Sequence, residues 1–103
     1  MLIAITSDGR SVSREYGTTK AFEVFDVQGG KLGKRMLIDT SAGVSENDLS
    51  YILQNEGVET LICGSIKSEQ QRELEKYRIK VITGAKGNTR NILAAYLKNE
   101  KIR

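Results

Sequence analysis

The sequence predicts an α/β fold with one five-stranded mixed sheet and three helices, in the order βββαβαβα. Residues 2–5 are all apolar, which is typical of a central strand covered on both faces. Residues 28–31, Gln-Gly-Gly-Lys, form a hairpin turn between two strand-like segments. From Val58 onward strands and helices alternate, which favours parallel strands joined by right-handed crossovers. We therefore expect one domain, residues 1–103, with sheet order 3-2-1-4-5 and strand 2 antiparallel.

The first half of the chain holds three predicted strands. Turn-forming residues 7–9 end the first strand and open a polar loop that reaches residue 20. A loop of this length is either functional or a mobile surface segment. Residues 21–27 mix aromatic and β-branched side chains, which favours the second strand. Residues 32–38 carry apolar side chains spaced by two among charged ones, which indicates an edge strand.

The second half alternates helices with short strands. Ser45 is a predicted N-cap for the first helix, and Gly57 follows its last turn. The nearly continuous apolar run 58–63 predicts the fourth strand. A capping box that begins at Ser68 predicts a second helix through about Tyr77. A short strand at 79–82 and a third helix from about residue 89 complete the pattern.

Composition narrows the function classes. The net charge is +3 and the basic residues are scattered among acidic ones, which argues against nucleic acid as a partner. The chain has one cysteine and no histidine, so the commonest general base and metal ligand is missing and a non-enzymatic role is favoured. Its apolar runs are too short for a signal peptide or a membrane span. We therefore expect a cytoplasmic protein.

The carboxyl ends of strands 1, 4 and 5 share one rim of the predicted sheet, where ligands bind in open α/β folds. A glycine-rich loop that opens a helix offers backbone N–H groups to an anion, and arginines of the long loop would clamp it as a lid. Alternatively, the glycine-rich loop is only a structural turn, and the long loop is only a solvated surface segment. The predicted ligand-binding residues are Ser7, Asp8, Arg10, Arg14, Glu15, Tyr16, Gly64, Ser65, Gly84, Lys86, Gly87, Asn88 and Thr89.

Four blocks of the sequence recur together in one protein family. They are Ile3–Ile5 followed by Asp8-Gly9, Gly17 with Phe22 and Phe25-Asp26, residues 58–66, and residues 84–90 with 95–97. In order and spacing they resemble the dinitrogenase iron–molybdenum cofactor biosynthesis family, also called nitrogenase accessory factor-like domains. The resemblance implies a ribonuclease H-like fold and a protein that binds or carries an iron–sulfur or iron–molybdenum cluster.

The chain departs from that family in its metal-binding residues. Members commonly carry His-Phe-Gly where this chain has Glu15-Tyr16-Gly17. Iron–sulfur clusters prefer thiolates, with imidazole as an occasional substitute, and this chain offers only the thiol of Cys63. Cys63 is either a metal ligand or a small core residue at the end of a buried strand. The sequence therefore leaves two possibilities for a cofactor: an iron–sulfur or iron–molybdenum cluster, or no cofactor.

Three hypotheses follow for function. The favoured one is a non-enzymatic domain that binds a small anionic ligand or a metal cluster on the rim. The alternative is a protein–protein interaction or regulatory domain that has lost cluster binding. The least favoured is a small metal-dependent hydrolase or nuclease built on Asp8 and Asp26, because two-metal catalysis needs several converging carboxylates and Asp26 is expected near the opposite end of the sheet.

Overall fold

A computed structural model describes residues 1–42 and 44–102, with side chains as far as Lys98. Its strands are β1 (Leu2–Ser7), β2 (Ala21–Gln28), β3 (Lys31–Asp39), β4 (Val58–Ile62) and β5 (Lys80–Ile82). Its α-helices are α1 (Leu49–Glu56), which follows a 3-10 turn at Glu46–Asp48, α2 (Ser68–Lys76) and α3 (Thr89–Ile102). Within this part of the chain no helix is long and apolar enough to cross a membrane.

The predicted sheet is confirmed. Its order is β3-β2-β1-β4-β5. Strand β2 runs antiparallel to β1 and β3, whereas β4 is parallel to β1 and β5 is parallel to β4. The carboxyl ends of β1, β4 and β5 therefore lie at the same rim, because the three strands are parallel.

Two apolar clusters cover the two faces of the sheet and explain the continuous apolar run of β1. Ala4 packs on one face with Leu53 of α1 and Leu74 of α2. Ile3 and Ile5 pack on the other face with Leu93 of α3. Successive strand residues point to opposite faces, so a strand buried on both sides must be apolar at every position.

Strand β3 is the edge strand that the sequence predicts. Every residue of it except Ile38 is exposed, and it pairs only with β2 among the described residues. Leu32, Met36 and Leu37 are 51%, 41% and 53% exposed. The pairing of β2 with β3 slips between Phe25 and Val27, which is a β-bulge of the kind found at sheet edges.

The helix caps agree with the predictions only in part: Ser45 caps the 3-10 turn at Glu46–Asp48, whereas the N-cap of α1 itself is Asp48. The Ser45 hydroxyl accepts a hydrogen bond from the Asn47 N–H at 3.2 Å, and Gly57 ends α1 in the left-handed conformation with φ of 83°. The predicted cap at Ser68 is wrong. Helix α2 already begins at Ser68, and Lys67 is its N-cap, whose backbone N–H donates to the Gln70 side chain.

Candidate functional site

The long loop between β1 and β2 lies across the rim and is tied to it by backbone hydrogen bonds. The Val12 N–H donates to the Gly87 carbonyl at 2.8 Å, and the Tyr16 N–H donates to the Ser65 carbonyl at 2.9 Å. Short bridges also join Ser11 to Asn88 and Glu15 to Ser65. The loop therefore connects the turns that follow β4 and β5, instead of extending freely into solvent.

A basic cavity of about 410 Å³ lies where this loop meets those turns. We call it the rim cavity. Arg14 and Lys86 contribute its two cationic side chains, and none of the described residues that line it carries a carboxylate. Its lining residues are Val12, Arg14, Gly64, Ser65, Gly84, Ala85 and Lys86. Concavity and a single sign of charge concentrate counter-ions, so the cavity attracts anions.

Gly64 allows the loop and the sheet to come this close. A Cβ atom at residue 64 would collide with the backbone carbonyl of Arg14. That carbonyl accepts two hydrogen bonds from Ser65, one from its N–H at 2.8 Å and one from its hydroxyl at 3.1 Å. A larger residue at position 64 would push Arg14 away from the rim, so the shape of the cavity depends on this glycine.

Many backbone N–H groups of the glycine-rich loop between β5 and α3, and of the first turn of α3, already donate to partners inside the protein. The Asn88 side chain caps α3 by accepting from the N–H groups of Arg90 and Asn91 at 2.9 and 3.3 Å. The Thr89 N–H donates to the Arg10 carbonyl, and the Gly84 N–H donates to the Gly64 carbonyl. An anion in the rim cavity would therefore depend mainly on the charges of Arg14 and Lys86.

Several predicted site residues lie outside the rim cavity. Asp8 closes a turn by accepting a hydrogen bond from the Ser11 N–H at 3.1 Å, and Arg10 is exposed beside it. Glu15 lies on the bridge to Ser65. Gly87, Asn88 and Thr89 serve the loop and the start of α3 rather than the cavity wall.

Tyr16, one of the predicted ligand-binding residues of the long loop, has its side chain in the core. It is only 1% exposed, and its ring lies 5.9 Å from that of Phe22 in the apolar cluster under α1 and α2. The polar residues around Tyr16 in the sequence gave no sign of this burial. The backbone of the loop faces the rim, whereas the tyrosine ring points into the core. Tyr16 therefore anchors the loop by hydrophobic burial.

Glu23 is a buried carboxylate that organises Ser7 and was not among the predicted site residues. The Glu23 side chain is 3% exposed, and its Oε1 accepts from the Arg35 Nε at 2.9 Å while its Oε2 accepts from the Ser7 hydroxyl at 2.7 Å. Burial alone would raise the pKa of Glu23. Hydrogen bonds from Thr89, Ser7 and Arg35, with the Arg35 charge, outweigh it and lower that pKa. The Ser7 hydroxyl accepts from the Gly9 N–H, so the network sets the turn after β1.

The chain matches one known protein family over nearly its whole length. The family model described as "Dinitrogenase iron-molybdenum cofactor" matches residues 1–99. This chain belongs to that family. No curated protein shows significant sequence similarity to it.

Solved structures share the fold of this family member. The crystal structure of the protein PH0822 is 19% identical, covers 96% of this chain and 90% of its own, and gives a TM-score of 0.90. A crystal structure from Methanocaldococcus jannaschii, described as a dinitrogenase candidate, is 21% identical with a TM-score of 0.79, covering 97% and 90% of the two chains. The apo orange protein of Desulfovibrio gigas is 20% identical with a TM-score of 0.80, covering 96% and 88%. At these identities the likeness establishes the fold alone.

The described residues do not fit a cluster ligated by thiolate or carboxylate. Cys63 is fully buried, and burial raises the pKa of its thiol to about 11. Within the described residues no group of three or more Cys, Asp or Glu side chains is placed to hold a metal ion. The thiol therefore packs as a small core residue in the apolar cluster below the rim.

The two aspartates of the nuclease hypothesis are far apart. Asp8 follows the carboxyl end of β1, whereas Asp26 pairs with Leu2 at the start of that strand. Six strand residues separate the two ends by roughly 20 Å. Paired-metal chemistry needs carboxylates that converge on metals about 4 Å apart, so this arrangement does not support it.

Proposed function

We propose that this family member is a non-enzymatic binding domain that holds a small anionic metal compound as cargo in the rim cavity. The observation that carries the proposal is that Arg14 and Lys86 line the same cavity, which has no carboxylate among its described lining residues. The family name supplies the chemical class, a molybdenum- or iron-containing species. Metal–sulfur and metal–oxygen anions match the positive charge of this cavity.

Binding of this kind depends on charge instead of metal–ligand bonds. Arg14 and Lys86 are both exposed, so each contributes a modest, salt-sensitive attraction. A hydrogen bond from a charged side chain to an anion is worth about 1.5–3 kcal/mol before that screening. We therefore expect reversible binding that weakens as ionic strength rises, which suits a protein that delivers its cargo.

The experiment is anaerobic calorimetric titration with tetrathiomolybdate and with molybdate, using sulfate as the competing simple anion. Arg14→Gln and Lys86→Gln should each weaken tetrathiomolybdate binding by about tenfold, the loss of one charge-assisted hydrogen bond. Lys31→Gln is the matched control, because Lys31 is an exposed lysine in the hairpin at the other end of the sheet. Equal affinity in all four proteins would refute the assignment of the rim cavity.

A second experiment separates charge binding from ligation by the thiol. Reconstitution with iron and sulfide under anaerobic conditions is followed by visible absorption and iron content, in the original protein and in Cys63→Ala. Because the thiol is buried, we expect the same iron content in the two proteins, and Cys63→Ala should also bind tetrathiomolybdate with unchanged affinity. Stoichiometric iron that is lost in Cys63→Ala would instead make Cys63 a cluster ligand and overturn the charge-based account.

The edge strand favours one other candidate, a domain that associates with a second copy of itself. Leu32, Met36 and Leu37 are large apolar side chains exposed along β3. This candidate predicts concentration-dependent association that Leu37→Lys abolishes, measured by sedimentation equilibrium. A protein that stays monomeric at every concentration would leave the anion-binding domain as the better account.

A further inference from the structure

A second cavity, of about 550 Å³, lies between α2 and the segment that begins at the 3-10 turn before α1. We call it the helix cavity. Its charged lining residues are Glu46, Lys67, Glu69 and Glu73, and its remaining lining side chains are uncharged. Three carboxylates against one ammonium group give it a net negative charge, which is opposite to that of the rim cavity.

The only lysine among these described lining residues already has a partner. The Lys67 Nζ lies 3.1 Å from the Glu46 Oε1, and the Gln70 side-chain amide donates to the same oxygen. Glu46 is therefore largely compensated. Glu69 and Glu73 supply the remaining negative charge, and Glu73 accepts one long hydrogen bond, 3.4 Å, from the neutral hydroxyl of Tyr77.

Tyr16 adds a polar atom whose hydrogen bonds are unmet. The residue is 1% exposed and lines the helix cavity, and its hydroxyl has no hydrogen-bond partner among the described residues. Tyr16 and Glu73 line the same cavity, and the pKa of Tyr16 is raised, mainly by burial and in part by the Glu73 charge. A buried polar group without a partner in a native protein calls for a ligand or water to satisfy it.

From the unpaired hydroxyl and the surplus negative charge, we propose that the helix cavity binds a small organic cation of the alkylammonium class. Its ammonium N–H groups donate to the Tyr16 oxygen and to the Glu73 carboxylate, while Glu69 adds attraction at the mouth. A bare metal ion fits less well, because no three Cys, Asp or Glu side chains in the described part of the chain converge on one point. This inference does not depend on the cargo of the rim cavity.

The test uses putrescine, a linear diamine, titrated into the isotope-labelled protein at constant ionic strength and followed by amide chemical shifts in NMR spectra. Butanediol of the same chain length is the neutral control ligand. We expect saturable shifts that map to the backbone around Tyr16 and to α2 around Glu73 with putrescine, and none with the diol. Equal shifts with the two compounds, or no saturable shift at millimolar putrescine, would overturn the proposal.

Variants assign the binding to the Tyr16 hydroxyl and the Glu73 charge. Tyr16→Phe keeps the ring and should weaken putrescine binding by about tenfold, the loss of one hydrogen bond to a charged group. Tyr51→Phe, at a tyrosine that is 63% exposed on α1, is its matched control. Glu73→Gln should weaken binding similarly, whereas Glu59→Gln on β4 makes the same charge change outside the cavity. Unchanged affinity in a folded Tyr16→Phe protein would refute the site.

Discussion

Replacing Arg35 with methionine removes the only cation within ion-pair distance of the buried Glu23 carboxylate among the described residues. The two groups are 2.9 Å apart, and the Glu23 side chain is 3% exposed against 38% for Arg35. Breaking a fully buried pair costs about 3–5 kcal/mol, because one charge is left without a partner. Since Arg35 is more than a third exposed and the Ser7 hydroxyl still donates to Glu23, we expect a loss of about 2–3 kcal/mol.

That loss converts into a measurable shift of the melting temperature. A chain of 103 residues has an unfolding entropy of roughly 0.2 kcal/mol/K near its midpoint, so Arg35→Met should melt about 10–15 °C lower. Thermal and urea unfolding, followed by circular dichroism, measure it. Lys34→Met is the matched control, because it makes the same charge change at the next exposed residue of β3. A difference below about 0.5 kcal/mol between the two variants would refute the reasoning.

The pH dependence gives the same prediction an independent check. The folded-state pKa of Glu23 is lowered, so its contribution is present above the unfolded pKa, about 4.3, and is lost as pH falls through the folded value. In Arg35→Met the lowering by Arg35 is lost, so the pKa of Glu23 rises above its value in the original protein, and less of the stability depends on the ionised carboxylate. The destabilisation should therefore be largest at about pH 7 and shrink towards about pH 3. An equal loss at both pH values would mean that Arg35 acts through packing alone.

Three further changes test other parts of the structure. Tyr16→Phe should raise the free energy of unfolding by about 1 kcal/mol in urea titrations, because it removes a buried hydroxyl without a protein partner, and a lower stability would reveal a partner. Gly64→Ala should lower it by about 1–3 kcal/mol in the same assay, because the new methyl group meets the Arg14 carbonyl, and an unchanged value would contradict that close approach. The Cys63 thiol should react with an aromatic disulfide reagent only when urea unfolds the protein, as its full burial and its pKa of about 11 require, and rapid reaction in the native state would contradict both.

The architecture was predictable because hydrophobic pattern determines it directly. The apolar run 2–5 placed β1 in the centre of the sheet, and the turn at residues 28–31 made β2 and β3 neighbours. Sequential strands tend to be neighbours, and right-handed crossovers from there favour the order 3-2-1-4-5. The errors fall at boundaries such as Ser68, where the N-cap is one residue earlier, because neighbouring polar residues offer competing cap interactions.

The candidate site was predictable only in part. Topology brings the turn that holds Lys86 and the start of the long loop to one rim, whereas the position of Arg14 within that loop depends on its hydrogen bonds with Ser65. The burial of Tyr16 was not predictable, because it depends on which way a loop backbone turns. Glu23 gave one signal, a charged residue inside an otherwise apolar strand segment. That signal does not reveal Arg35 as the partner of Glu23. The pairing of β2 with β3 shifts at a bulge, and the local sequence does not show where such a shift occurs.

The most direct test of the central claim is equilibrium dialysis against tetrathiomolybdate, with bound molybdenum measured by elemental analysis. It compares the original protein, the double variant Arg14→Gln/Lys86→Gln, the control double variant Lys31→Gln/Lys34→Gln and Cys63→Ala. The charge-based account predicts that bound molybdenum falls close to background only in Arg14→Gln/Lys86→Gln. Retention in that protein, or loss in Cys63→Ala, would contradict the assignment of the rim cavity as the cargo site.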